Sequence, residues 1–346
     1  MSQSEFALNQ VHEVIKNVIQ TRLWNDIVPN AHFYLAVFPI LAMLLGAIVA
    51  LLVGAFTTKN STAPNFPAWC VSIIAAFSAA AVSILFLFPL SHVQAYLGSG
   101  VLIDNISTVS FVVIAIGTLF TLIAATATES GKLLLRYEFV SLLLFASAGL
   151  MTMCAAGEFA SFFIGFELTS IPLYVLVGYQ KPSLSSMEAS VKYFLLGATA
   201  AAMLLMGAAL IYAAIGSLRF SDFGLLDISL SHPFALLGVL LFICGLVFKL
   251  AIAPFHFWAP DVYQGANSHL SGYMASLVKF SVAIVVMRIV STQFASGVQT
   301  GLIAVFWIFG ALSIFIANRG PKIPTNKATI IAISETIFNV EFVCGL

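Results

Sequence analysis

Nine long apolar runs, joined by short connections, constrain the fold of this chain more than any other feature of its sequence. About 20 apolar residues are enough to cross the hydrocarbon core of a bilayer as an α-helix. A transmembrane β-barrel would show shorter segments of alternating polarity, whereas these runs are continuous. We therefore predict an all-α, multi-pass membrane protein, a helical bundle of about nine to ten transmembrane helices. The runs cover residues 33–55, 69–90, 106–127, 135–156, 158–178, 188–215, 234–254, 269–290 and 299–317.

The composition agrees with a membrane location and argues against several other classes. Of 346 residues, 61% are hydrophobic and 8% are charged, whereas a soluble domain carries about 25% charged residues. The formal net charge is zero, so no basic surface indicates a nucleic acid as a partner. The four cysteines are far apart and form no CxxC or Cys/His cluster, so neither an iron–sulfur site nor a disulfide framework is indicated. The sequence also lacks the GxGxxG, Walker and HExxH patterns, so we expect no bound flavin, haem or metal.

Polar segments at both ends divide the chain into three predicted parts. Residues 1–30 form a polar tail whose apolar positions recur at helical spacing, so a short amphipathic helix on the membrane surface and a disordered tail are both compatible with it. Residues 31–318 form the transmembrane domain. Residues 319–346 form an atypical C-terminal segment, which opens with Gly, Pro and Lys and continues as a weakly apolar run.

The distribution of Lys and Arg between the connections predicts the orientation in the membrane. One set of alternate connections is rich in basic residues and should face the cytoplasm, which places the N-terminus outside. The opposite set holds Arg219, with Arg288 at a helix end, although the N-terminal tail on that side carries two further basic residues. The rich set comprises Lys59, Lys132, Lys181, Arg319, Lys322 and Lys327, with Arg136 at a helix start.

Four charged residues lie inside the apolar runs, namely Glu167, Lys192, Lys249 and Lys279. A charge in the hydrocarbon core costs at least about 2.5–3.5 kcal/mol, so such residues usually face a partner, water or an ion path. Glu167 lies near the middle of its run, and no cation within one helical turn can pair with it. Its partner must come from another helix, either in a fixed ion pair or in a group that gains and loses protons.

All three cations are lysines, which favours proton exchange over static pairing. A desolvated lysine can release its proton near neutral pH, whereas arginine stays charged. Snorkelling to the headgroups is an alternative for Lys249 but explains Lys279 poorly, because Lys279 lies in the middle of its run. For Lys192 a local ion pair with Glu188 at (i, i+4) is an equally good interpretation.

Prolines predict interruptions in two runs. Pro172 follows the buried acid by five residues, and Pro254 follows Lys249 by five. Proline removes a backbone donor, and broken backbone at membrane depth must be satisfied by protein or water; a simple packing kink is the alternative. His256 and Asp261 beyond the second proline favour a hydrated region. His256 can exchange a proton near neutral pH, although a structural histidine is equally compatible.

Four stretches of sequence resemble the N-type membrane subunit of respiratory complex I, NADH–quinone oxidoreductase. They are FELTSIPLYVL at 166–176, EASVKYFLLGA at 188–198, FKLAIAPFHFWAPDVYQGA at 248–266 and MASLVK at 274–279. The resemblance extends over about residues 33–318, and the third stretch is the longest match. It implies an antiporter-like bundle of two inverted five-helix repeats, each with a broken helix and a central charged residue.

The resemblance also implies roles for individual residues. Glu167 matches the acid of the family's fifth helix, and Lys249 matches the lysine of the broken seventh. Lys192 and Lys279 match lysines of the sixth and eighth helices, and His256 matches the histidine after the break. Together they would form a proton path, through which quinone chemistry elsewhere in the complex drives protons across the membrane.

The same resemblance implies the surroundings of the chain. The subunit itself would bind no cofactor, because NADH, FMN, iron–sulfur clusters and quinone belong to other subunits. Its partners would be the other membrane-arm subunits, in the inner membrane of a bacterium.

Two departures from the family leave alternatives open. The family's proline-containing turn after Ala266 is replaced here by Asn267-Ser268-His269. Family members have about fourteen helices and a second broken helix, so the sequence predicts a C-terminally truncated form or one piece of a split subunit. The alternatives are a subunit of a multisubunit cation/proton antiporter and a structural remnant that does not pump.

Overall fold

The computed structural model describes residues 31–57, 65–87, 95–97, 100–127, 136–179, 183–226, 232–295, 308 and 310–313. The predicted N-terminal tail, the C-terminal segment 319–346 and most of the ninth run, 299–317, lie outside these residues. Three basic residues on which the predicted orientation largely depends also lie outside them, namely Lys59, Lys132 and Lys181.

The described part of the chain is almost entirely helical. Ala125–Ala127 and Phe220–Leu225 are short 3-10 helices, and Met274–Val278 is a π-helix. The α-helices are α1 (Ala31–Thr57), α2 (Phe66–Leu87), α3 (Asn105–Ala124), α4 (Tyr137–Cys154), α5 (Phe159–Val177), α6 (Leu184–Ile215), α7 (Pro233–Leu250), α8 (Ala259–Gly265), α9 (Ser268–Tyr273) and α10 (Lys279–Ala295).

Among the described residues, eight helical segments are long and apolar enough to cross a membrane. Seven of them are α1 to α7, and the eighth joins α9, the π-helix and α10 over Ser268–Val290. They correspond to the first eight of the nine predicted runs, so the prediction of an all-α, multi-pass membrane protein is confirmed. The main differences are at helix ends, since α6 begins at Leu184 and α7 already ends at Leu250.

The bundle is built around α4, which packs against α1 and α5, while α6 packs along α7. Gly149 of α4 lies directly against α5, where an added Cβ would come within 2.6 Å of the Thr169 nitrogen and 2.8 Å of the Gly165 carbonyl oxygen. Small residues allow this close approach of two membrane helices. It fixes the position of the α5 segment that carries Glu167.

The predicted interruption near Pro254 is confirmed, and it begins three residues earlier, at Ala251. Ala251 has a left-handed backbone (φ 56), and the chain then turns until α8 begins. Two backbone groups at the break have side-chain partners, which is how broken backbone is tolerated at membrane depth. The Trp258 indole donates to the Phe248 carbonyl at 3.0 Å, and the Ala253 N–H donates to Ser313 Oγ at 3.1 Å.

The predicted interruption at Pro172 is wrong, because α5 continues without a break from Phe159 to Val177. Proline removes only one donor from the helix, the one that would bond to the Leu168 carbonyl, and membrane helices tolerate such a loss. Thr169 Oγ1 and Ser170 Oγ donate to the carbonyls of Gly165 at 2.9 Å and Phe166 at 2.5 Å, which adds bonds to the turn before the proline.

A short hairpin between α2 and α3 is the part of the fold that the apolar runs did not predict. Its antiparallel strands are β1 (Ala95–Leu97) and β2 (Val101–Ile103), with Tyr96 opposite Leu102. The Leu102 N–H donates to the Ala155 carbonyl at 2.7 Å, which ties the hairpin to the end of α4.

Candidate functional site

Lys249 is the penultimate residue of α7, immediately before the break, and only 2% of its surface is exposed. Its ammonium nitrogen therefore lies inside the bundle rather than at the headgroups. Snorkelling, the alternative interpretation of Lys249, does not apply to a side chain buried in this way.

The end of the Lys249 side chain lies against three residues of two other helices. Its Nζ donates to Ser170 Oγ at 2.7 Å. The same nitrogen lies 4.7 Å from the centre of the Phe166 ring and 5.8 Å from that of Tyr193, distances at which a cation is attracted to an aromatic face. We call Ser170, Phe166 and Tyr193 the Lys249 cage.

Glu167 lies on α5 between two members of the cage but does not bond directly to the lysine. No ion pair within 4.0 Å joins Glu167 and Lys249 in the described part of the chain, although the two charges interact through space. Glu167 is half-buried at the border of an exposed apolar face that includes Ile164 and Ile171. A carboxylate at this depth requires water or another protein beside it, because lipid cannot solvate it.

Lys192 differs from its predicted buried position, because 43% of its side chain is exposed. It makes two ion pairs, with Glu188 at 2.8 Å on the same helix and with Asp261 of α8 at 2.7 Å. The prediction of a local pair with Glu188 is thus confirmed, and the prediction of burial is wrong. Lys192 is exposed because it lies on the outward side of α6. The apolar residues around it in sequence do not show which side of the helix faces outward.

Lys279 is buried, with 2% of its surface exposed, and begins α10 directly after the π-helix Met274–Val278. Its Nζ lies 6.0 Å from the centre of the Tyr263 ring of α8. Single-turn π-helices occur frequently at functional sites. The predicted burial of Lys279 is confirmed, in a position separate from the Lys249 cage.

His256 lies in the turns between α7 and α8 and is half-buried. Its side chain makes no hydrogen bond to Lys249. His256 lies seven positions after Lys249, inside the irregular segment that follows the end of α7.

The short helix α8 contacts the surroundings of all three lysines. Asp261 binds Lys192, and Tyr263 lies beside Lys279. Trp258, at the N-terminal cap of α8, stacks on Tyr193 of the Lys249 cage with ring centres 5.0 Å apart. The segment after the break therefore connects residues that are spread over almost 90 positions of the sequence.

Ser170 and Tyr193 are site residues that the sequence pattern did not predict, and Asp261 was predicted only to indicate a hydrated region. A signal for Ser170 was present, since Phe166 and Ser170 are four residues apart and share one face of a helix next to Glu167. Tyr193 directly follows Lys192, so neighbouring positions of α6 point in different directions, one outward and one into the core.

A second charged cluster, away from the lysines, ties α3 to α10. Arg288, 7% exposed, donates to both Asp104 oxygens at 2.9 and 3.0 Å and to the Cys154 carbonyl at 3.0 Å. Asp104 also caps α3 by accepting from the Ser107 N–H. Burial raises the pKa of Asp104, but Arg288 and Ser107 outweigh it and hold this pKa below its usual value. Arg288 is thus a buried structural partner of Asp104.

The membrane bundle, the broken helix α7 and the buried lysine at its end define an antiporter-like membrane protein. Residues 156–335, more than half of the chain, match the family described as "NADH:quinone oxidoreductase/Mrp antiporter, TM". The chain belongs to this family, which confirms the resemblance found in its sequence.

Similar proteins come from respiratory and antiporter complexes. The NADH-quinone oxidoreductase subunit N of Maricaulis maris is 30% identical over 305 residues, which are 88% of this chain and 62% of that protein. A chain of the respiratory complex I structure from Thermus thermophilus, with bound aureothin, is 27% identical with a TM-score of 0.71, over 88% of this chain and 63% of that one.

A chain of the Mrp complex from Dietzia sp. has a TM-score of 0.72 at 18% identity, over 87% of this chain and 58% of its own length, and shows the shared fold alone. The chain thus spans about three-fifths of the length of these proteins.

Proposed function

We propose that this chain is a proton-translocating membrane-arm subunit of an NADH–quinone oxidoreductase, and so part of a translocase. The observation that carries the proposal is the buried Lys249 at the break of α7, held against α5 beside Glu167. The similarity to proteins named NADH-quinone oxidoreductase subunit N supports the choice of complex.

The proposed mechanism is electrostatic. A buried lysine exists as an ammonium or an amine, and the nearby carboxylate decides which form is favoured. At an effective dielectric constant of about 20, opposite charges 4 Å apart attract each other by about 4 kcal/mol. Movement of Lys249 between its present position and Glu167 would therefore be enough to change whether the lysine holds its proton.

We infer that the remaining charged residues extend this path. Lys279, buried beside Tyr263, would be the next proton-carrying group. Lys192 with Glu188 and Asp261 forms an exposed cluster that would exchange protons with water. His256 lies in the turns between Lys249 and α8, the helix that carries Asp261. Quinone chemistry in other subunits would drive the rearrangement.

We further infer the surroundings of the chain. It would bind no redox cofactor itself, while NADH, FMN, iron–sulfur clusters and quinone belong to neighbouring subunits. Its partners would be the other membrane-arm subunits in a bacterial inner membrane, with the N-terminus outside. The half-exposed Glu167 supports a neighbour or water on that face of α5.

A cation/proton antiporter subunit is the second candidate, because the matched family and the fold include Mrp proteins. Purification of the tagged chain from membranes separates the two. Co-purification with quinone-reducing subunits supports the first candidate, and co-purification with antiporter subunits alone supports the second. A structural remnant that does not pump is the third possibility.

Replacing Lys249 tests the proposal directly. We expect Lys249→Met to abolish NADH-driven proton pumping in vesicles that contain the assembled complex, because methionine keeps the apolar stem but carries no proton. Assembly of the complex, checked by native gel, serves as the control. Pumping at the wild-type rate by assembled Lys249→Met complex would refute the role of Lys249 and favour the non-pumping remnant.

A further inference from the structure

The Lys249 cage gives the nitrogen of Lys249 partners that include no carboxylate. The nitrogen has a hydroxyl acceptor at 2.7 Å and two aromatic faces within 6 Å. Glu167, one residue after Phe166 in α5, is not within ion-pair distance. The structure thus holds the lysine in a position that is separate from its proposed carboxylate partner.

The orientation of the Ser170 hydroxyl makes it an acceptor for Lys249. A serine hydroxyl has one proton and two lone pairs. That proton is used in the bond to the Phe166 carbonyl of the preceding turn, at 2.5 Å. The hydroxyl therefore faces Lys249 with lone pairs only. These lone pairs accept from the lysine ammonium group, which has donors but no acceptor.

The aromatic part of the cage is held in place by its own neighbours. The buried Tyr193 ring lies between Trp258, stacked at 5.0 Å, and Tyr174, whose ring meets it edge-on at 4.8 Å. Trp258 is anchored in turn by its bond to the Phe248 carbonyl, one residue before Lys249. The ring face of Tyr193 is therefore presented to Lys249 by the same broken segment that ends α7.

We propose that Ser170, Phe166 and Tyr193 are positioning residues that give Lys249 a second resting place, apart from Glu167. This inference rests on the proposed function of Lys249 as a proton carrier. The cage stabilises the ammonium by a hydrogen bond and by aromatic faces, so the side chain can leave Glu167 without exposing a bare charge to hydrocarbon. Two positions of similar free energy are what a lysine that alternates between partners requires.

A pair of variants of equal volume isolates the Ser170 hydroxyl. Thr and Val side chains have nearly the same shape. Ser170→Thr keeps the hydroxyl and its bond to the preceding turn, whereas Ser170→Val lacks the hydroxyl. In vesicles with the assembled complex we expect Ser170→Val to lower the rate of NADH-driven proton pumping about tenfold, as for loss of a hydrogen bond to a charged group. Ser170→Thr should retain most of the pumping.

A second pair tests the ring independently of Ser170. Tyr193→Phe keeps the aromatic face and should pump nearly as well as the wild type, whereas Tyr193→Leu should lose several-fold. Ser72→Val is the matched control for removing a buried serine, because Ser72 also bonds to its own preceding turn, in α2, away from Lys249. It should leave pumping unchanged.

The outcomes separate this inference from the function on which it rests. If Lys249→Met abolishes pumping while Ser170→Val and Tyr193→Leu pump like the wild type, the positioning role is wrong and the proposed function stands. Equal losses in Ser170→Thr and Ser170→Val would also overturn it, because the hydroxyl would then not be the cause. If Lys249→Met pumps normally, the proposed function itself fails.

Discussion

At the scale of single residues, the chain places its lysines in two different environments. Lys249 and Lys279 are each 2% exposed, whereas 43% of the Lys192 side chain is exposed and both of its ion pairs lie on the outer surface of the bundle. Exposed ion pairs contribute little to stability, because water and salt screen them. Leaving a buried charged group unpaired costs much more free energy. The effect of a buried charge on stability therefore depends on its partners.

Replacing Lys192 should therefore change stability little. We expect Lys192→Met to shift the thermal unfolding midpoint in detergent only slightly, because its pairs with Glu188 and Asp261 are screened. Tryptophan fluorescence during heating gives the midpoint. Arg288→Met, which removes a buried ion-pair partner, is the comparison and should lower the midpoint much more. Equal shifts in the two variants would contradict this distinction.

At the scale of elements, the contact between α4 and α5 and the break after α7 position the site. The close approach at Gly149 fixes the stretch of α5 that carries Phe166, Glu167 and Ser170. The break turns the chain so that α8 can contact the surroundings of all three lysines. The hairpin of β1 and β2 adds a bond to the end of α4, on the side of the bundle where Asp104 caps α3.

A single methyl group at Gly149 should test the helix contact. Gly149→Ala would place Cβ within 2.6 Å of the Thr169 nitrogen, so α5 must shift. We expect a loss of about 1–3 kcal/mol in the free energy of unfolding, the usual size for overpacking. Gly272→Ala is the control, because a Cβ there meets nothing within 4 Å. A thermal midpoint for Gly149→Ala no lower than that of Gly272→Ala would disprove the close contact.

At the scale of the whole molecule, the Arg288 cluster connects elements that are far apart in the chain. Arg288 of α10 binds Asp104 at the start of α3 and the Cys154 carbonyl at the end of α4. Removing one partner from a buried ion pair costs about 3 kcal/mol or more, since the other charge remains buried. The cluster therefore stabilises the packing of α10 against the rest of the bundle.

This cluster predicts how stability depends on pH. The folded-state pKa of Asp104 lies below its usual value, so its contribution is complete above about pH 4, the range of an unfolded aspartate. It is lost as the pH falls through the lower folded-state pKa. We expect the thermal midpoint of the wild type to fall over this acid range more steeply than that of Asp104→Asn, which keeps the helix cap but carries no charge. Parallel pH curves for the two proteins would refute the linkage.

The sequence by itself determined the elements and the chemistry available to them. Continuous apolar runs predicted the membrane helices, because crossing a bilayer is a local requirement on about 20 residues. The residues around Pro254 predicted the break, and the cost of buried charge drew attention to Glu167, Lys249 and Lys279. Each of these inferences depends on residues that are close together in the chain.

Only the tertiary structure decided which groups meet. Lys249 and Ser170 are 79 positions apart, Lys192 and Asp261 are 69 apart, and Arg288 and Asp104 are 184 apart. It also placed Lys192 on the outside and Tyr193 in the core, although the two are neighbours in α6. The physical reason is that hydrophobicity assigns a segment to the membrane, whereas the rotation and contacts of each helix depend on how all of them pack together.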